Sequence, residues 1–86
     1  MISVFWNELK SHRLKQTRGV SFEEIIQGRL IQIEDNPKYP GQYLMLFEHK
    51  SYVWVVPFVE RGDEIFLKTI YPSREYTKLL LRKQLP

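Results

Sequence analysis

The chain has no cysteine. A small secreted domain usually leans on disulfides, so their absence points to a reducing compartment and predicts a cytoplasmic protein. Histidine is almost as scarce. His12 and His49 are far apart, and no Cys or Asp/Glu cluster has the spacing of a ligand set, so neither a metal nor another cofactor is expected. Long apolar runs are missing as well. No window approaches the roughly 18 apolar residues of a membrane span. The opening Met1-Ile2-Ser3-Val4-Phe5-Trp6 lacks a basic leader and is too short for a signal sequence, so no membrane partner is expected. Repeats, linkers and low-complexity tracts are also absent, and residues 1–86 are read as one domain.

What is present suits a folded chain. Hydrophobic residues make up 43% and charged residues 27% of 86 positions, too apolar for a disordered segment. A domain this small buries only about 60% of its unfolded surface. Its generous aromatic share, 14%, supplies large buried areas per residue.

Charge is unevenly placed. Residues 1–18 carry four cations, Lys10, Arg13, Lys15 and Arg18, against Glu8. Residues 73–86 carry Arg74, Lys78, Arg82 and Lys83 against Glu75. The stretch between them has five basic and eight acidic side chains. If the fold brings the two basic ends together, they form one positive surface suited to phosphate. Lys10, Arg13, Lys15, Arg18, Lys78 and Arg82 are the candidate phosphate-binding residues on that reading; the alternative is two solvated helix faces.

Local patterns predict an α+β fold. Ile2–Phe5 is a short edge or first strand. Asn7 caps a helix running to about Arg18, with Gly19 as its left-handed stop. That helix holds only Leu9 and Leu14 as apolar residues, so it covers little core. Ser21-Phe22-Glu23-Glu24 is a capping box, with Val20 and Ile25 as a hydrophobic staple, and it opens a two-turn helix ended by Gly28. The box accounts for Glu23 and Glu24 as structural carboxylates rather than catalytic acids. Strands follow at Leu30–Ile33, Tyr43–Glu48, Tyr52–Glu60 and Glu64–Tyr71, separated by connections too short for parallel crossovers. The expected architecture is therefore one antiparallel meander sheet with two N-terminal helices and one C-terminal helix. Pro57 cannot donate to a ladder, which predicts a bulge or an unpaired edge beside it. Ser73 caps the last helix, through about Arg82, with Tyr76, Leu79 and Leu80 inward and Arg74, Lys78 and Arg82 on another face.

Two segments together resemble a known family. Thr17-Arg18-Gly19-Val20-Ser21-Phe22-Glu23-Glu24, after Phe5-Trp6-Asn7-Glu8 and Lys10, is similar to the K-H-G-V-S-F-E-E box of BrnT toxins, the ribonuclease halves of bacterial toxin–antitoxin pairs. Glu64-Ile65-Phe66-Leu67-Lys68-Thr69-Ile70-Tyr71-Pro72-Ser73-Arg74 is similar to that family's closing strand and R-x-I-S-A-R-x-A segment. The chain departs from the pattern at three places: Arg18 replaces a histidine, Lys68 replaces the first closing arginine, and Tyr71-Pro72 stands where Ser-Ala is usual. It looks like a divergent BrnT-like subgroup of the RelE-like ribonucleases.

The resemblance implies RNA as substrate, an antitoxin protein as partner, and metal-independent cleavage through the substrate's own 2′-hydroxyl. Such a reaction needs a base, cations around the phosphorus and an acid for the leaving oxygen. By position, Lys68, Tyr71 and Arg74 are the candidate catalytic residues. Lys68 supplies a point charge, Arg74 a bidentate clamp, and Tyr71 a proton if its pKa is lowered. His49 has a suitable unperturbed pKa but no evident partner. In a regular strand Lys68 and Tyr71 leave opposite faces, so the Pro72 turn must re-aim Tyr71 for the three to converge beside Lys10 or Arg13. Two other classes stay open: a non-catalytic RNA- or protein-binding module that keeps the toxin fold, and a small structural subunit.

Overall fold

The computed structural model describes all 86 residues. In chain order the elements are β1 (Ser3–Phe5), α1 (Glu8–Arg18), α2 (Phe22–Ile25), β2 (Arg29–Asp35), β3 (Tyr43–His49), β4 (Tyr52–Arg61), β5 (Glu64–Leu67), β6 (Tyr71–Pro72) and α3 (Arg74–Leu81). Each helix starts where its cap does. Asn7 Oδ1 accepts from Lys10 N at 2.9 Å, and Gly19 ends α1 at φ 82°. In α2, Ser21 Oγ accepts from Glu24 N at 3.2 Å while Glu24 Oε1 accepts from Ser21 N at 3.1 Å, so the capping box is closed. Ser73 Oγ accepts from Tyr76 N at 3.1 Å and opens α3.

Helix α2 is one turn, shorter than its pattern predicts. The chain must bend at once toward β2, and Gly28 passes so close to β3 that a Cβ there would lie 2.7 Å from the Glu48 carbonyl oxygen. Glycine answers to that approach.

The sheet order is β1-β5-β4-β3-β2, with β6 on the same edge of β4 as β5. Strands β2 to β5 form the expected antiparallel meander. The sheet as a whole is mixed, however, because β1 pairs β5 in parallel, from Ser3↔Glu64 to Phe5↔Phe66. Two helices and three strands intervene between β1 and β5, and that is connection enough for a parallel pair. The short-connection argument holds only within the meander.

Both faces of the sheet are covered. Leu14, Val20, Phe22 and Ile25 of the α1–α2 segment pack on Met45, Phe47, Val56, Phe58, Leu67 and Ile70. On the opposite face Tyr76 and Leu80 of α3 pack against Ile31, Leu44, Leu46, Val53 and Val55. Strands β3 and β4 therefore bury successive residues, which is why they read as nearly continuous apolar runs. Polar ties fix both layers. Buried Ser11 donates to Glu23 at 2.6 Å and accepts from Phe22 N at 3.0 Å. Buried Thr77 accepts from Val53 N at 2.9 Å, and Ser73 N donates to Val53 O at 2.9 Å, which anchors α3 to β4. No helix is long and apolar enough to cross a membrane.

Candidate functional site

Pro57 shapes the site. Its carbonyl accepts from Lys68 N at 2.8 Å, so its nitrogen faces the same edge with no hydrogen to return. The predicted strand Glu64–Tyr71 is interrupted there. Phe58 pairs Leu67 and Val55 pairs Tyr71, so the two residues Pro57 and Val56 oppose three, Lys68, Thr69 and Ile70. This one-residue excess is a bulge. Leu67 and Ile70 both point into the core under α1 and α2. Lys68 and Tyr71 both turn to the other face and line one groove with Leu44, Pro57 and Tyr76. The bulge, rather than the Pro72 turn, puts the two side chains on one side.

The groove has a volume of about 570 Å³. Its second wall is the β2–β3 loop, which contributes Asn36, Lys38 and Tyr39. Sequence reasoning passed over Lys38, Tyr39 and Tyr76 as site residues. The loop read as a turn and Tyr76 as core, although a Lys-Tyr pair bracketed by Pro37 and Pro40 was a usable signal. Lys38 and Lys68 are the charged lining groups, and no carboxylate lines the groove. The Tyr76 hydroxyl donates to Glu34, whose other oxygen accepts from Gln32 Nε2 at 2.7 Å. Burial, with that hydrogen bond, pushes the Tyr76 phenol up to about 12, and burial also raises Tyr71. Both phenols stay protonated at neutral pH. For Tyr71 this is opposite to the lowering that a role in acid–base exchange near neutrality asks for.

Lys68 also borders a second, shallower hollow with Lys10 and Arg13 of α1. Strand β1 ends opposite Phe66, so the sheet edge beyond it is bare and Lys68 is reached from both faces. The ion pairs of the molecule are Lys15–Glu24 and Arg29–Glu48, which leaves Lys10, Arg13 and Lys68 without an acidic partner. The remaining expected residues lie elsewhere. Lys15 is held by Glu24 at 2.8 Å, and Arg18 donates to the Ile70 carbonyl inside the bulge. These two cations tie α1 to its neighbours and are not free for phosphate.

Arg74 lines neither hollow. Positions two apart on a helix differ by about 200°, so with Tyr76 turned to the sheet Arg74 points away from it. Lys78 and Arg82 follow at intervals of four on that outer face and border a depression with Glu75. The two basic ends accordingly sit on opposite sides of the sheet, α1 on one and α3 on the other, and do not merge into one surface. His49 closes the β3–β4 hairpin opposite Tyr52, and His12 contacts Gln16 on α1; neither reaches the groove. No three His, Cys, Asp or Glu side chains gather as a metal site would require. A larger hollow of about 780 Å³, lined by Phe5, Val59 and Phe66, carries Glu60 and Glu64 against Arg61 and includes none of the expected residues. Its acidic balance disfavours phosphate.

No family model and no curated protein matches the chain. Among solved structures, the crystal structure of the Brucella abortus ribonuclease toxin BrnT superposes with a TM-score of 0.57, covering 85% of this chain and 97% of that one at 14% sequence identity. The chain therefore has the fold of that ribonuclease toxin.

Proposed function

We propose that the protein is the toxin of a toxin–antitoxin pair, a cytoplasmic, metal-independent endoribonuclease that a cognate antitoxin protein holds in check. The observation that carries this reading is the meeting of Lys68 and Tyr71 in one groove that two lysines line and whose nearest carboxylate, Glu34, is taken up by the Tyr76 hydroxyl, on a chain with the fold of a ribonuclease toxin. In the reaction the substrate's 2′-oxygen attacks the adjacent phosphorus and its proton passes to water. The bond to the 5′-oxygen breaks, and that oxygen leaves with a proton. The products are a 2′,3′-cyclic phosphate and a 5′-hydroxyl end. Lys68 stabilises the charge that builds on the phosphoryl oxygens. Tyr71 keeps its proton and steadies the departing oxygen by a hydrogen bond, while that oxygen takes its proton from water. Lys10 and Arg13 hold the flanking backbone, while Arg74, Lys78 and Arg82 add diffuse attraction from the outer face of α3.

A second reading, a non-catalytic RNA-binding module, is favoured by two features: the upward shift of Tyr71 and the position of Arg74 outside the groove. Incubation of purified protein with RNA in a chelator separates the two. The toxin reading expects fragments ending in 2′,3′-cyclic phosphate, lost in Lys68→Ala with the melting temperature kept. Induced expression should arrest growth, and co-expression of an adjacent antitoxin gene should relieve the arrest. Bound but intact RNA together with normal growth would replace the first reading by the second.

A further inference from the structure

We infer that the groove is a nucleobase subsite, in which the ring of Tyr39 stacks an unpaired base of single-stranded RNA. The inference rests on the RNA reading above and adds the form of RNA and the residue that selects it. Three observations support it. First, the backbone of the loop that carries the ring is tied down. Asn36 Oδ1 accepts from Lys38 N at 2.9 Å and from Tyr39 N at 3.3 Å. Asn36 N donates to Gln42 O and Gln42 N to Tyr39 O, at 3.0 and 3.1 Å. Pro37 and Pro40 stiffen the remainder. A backbone fixed beforehand leaves only the side chain to be ordered when the ring takes a ligand.

Second, the ring is without an aromatic partner. The three aromatic pairs of the molecule are Trp6–Phe22, Tyr43–Phe58 and Tyr52–Trp54. Tyr39 is 51% exposed and Tyr71 38%, and both line the same groove above an apolar floor of Leu44 and Pro57. Two solvent-facing tyrosines over such a floor offer π-faces to a planar ligand.

Third, the charges suit a polyanion. Lys38 Nζ rests 5.6 Å from the centroid of the Tyr39 ring, and Lys68 stands across the groove from that loop, with no lining carboxylate to neutralise either. A base stacked on Tyr39 displaces the Lys38 ammonium toward the phosphate beside it. From Lys68 the strand continues over the bare sheet edge to Lys10 and Arg13. A groove of about 570 Å³ has the size of a small-ligand site and admits a splayed nucleotide but not a duplex. Single strands are held in this way, by stacking with cations alongside, and duplexes are not.

Fluorescence anisotropy with 2′-O-methyl oligonucleotides, which lack the attacking hydroxyl, tests the subsite without cleavage. The wild type should bind a single strand in preference to a duplex of the same sequence. Tyr39→Ala should weaken single-strand binding by roughly 5- to 150-fold, the range measured for loss of one stacking ring. Tyr39→Phe should retain affinity. The salt slope should be unchanged in both and fall by about one in Lys68→Ala. Unaltered binding by Tyr39→Ala would overturn the subsite while leaving the RNA reading in place. Loss of antitoxin capture without loss of RNA binding would overturn it too, assigning the groove to a protein. Absence of any RNA binding by the wild type at low salt would overturn both.

Discussion

Glu24 carries more than a capping box asks of it. Its carboxylate accepts from Ser21 N and pairs with Lys15, which lies on the preceding helix. The Lys15 hydrogen bond, followed by that of the Ser21 backbone, holds the carboxyl at about 2, against 4.5 unperturbed. A carboxylate whose folded pKa is depressed contributes stability above its unfolded pKa and loses it as pH falls through the folded value. The margin of wild type over Glu24→Gln in melting temperature should therefore be full at neutral pH and shrink between about 4.5 and about 2. Lys15→Ala should reduce that margin at neutral pH, and a margin flat across the range would contradict the assignment. The cap was legible because its residues are adjacent in sequence. The partner was not, since nine positions and the left-handed Gly19 separate Lys15 from Glu24.

Among the elements, α2 is short, and packing rather than length sustains it. Phe22 is fully buried, with its ring centroid 6.0 Å from that of Trp6. Ser21→Ala should cost about 1 kcal/mol through loss of the cap. Phe22→Ala should cost about 3–5 kcal/mol through the cavity it leaves. Urea denaturation of the two variants checks the order; equal losses would mean that the helix is held by something other than its core contact. The closing strand teaches a related lesson. The missing donor of Pro57 announced an irregularity, because that property belongs to one residue. Which strand would absorb the extra residue depends on what each neighbour buries. Leu67 and Ile70 both reach the core under α1 and α2, and only a bulge between them allows it.

For the whole molecule, the placement of cations decides where RNA is expected to lie. Lys10 and Arg13 share a hollow with Lys68, while Lys78 and Arg82 lie on the outer face of α3 across the sheet. Reversing Lys10 and Arg13 to Glu should weaken RNA binding strongly and lower the slope of log affinity against log salt by about two. Reversing Lys78 and Arg82 should lower it less. Equal effects, measured by titration across salt concentrations, would argue against a defined RNA path through the bare edge.

The N-caps of the three helices, the Gly19 stop, the meander, the irregularity beside Pro57 and the class of fold were all written in runs of a few residues, where propensity and side-chain period act locally. The likeness to a ribonuclease toxin was legible in the same way, as two short segments at the ends of the chain. Other features required the packed molecule. Strand β1 pairs β5 across most of the chain, and the two basic ends part to opposite faces because the α1–α2 segment and α3 each need their own apolar surface. Lys15 and Arg18 become struts, and Arg74 points outward once Tyr76 and Leu80 turn α3 toward the sheet. Lys38 and Tyr39 enter the groove only when β2 and β3 carry their loop beside α3. Local sequence sets what a residue prefers; which residues become neighbours is decided by the burial of both faces of one sheet.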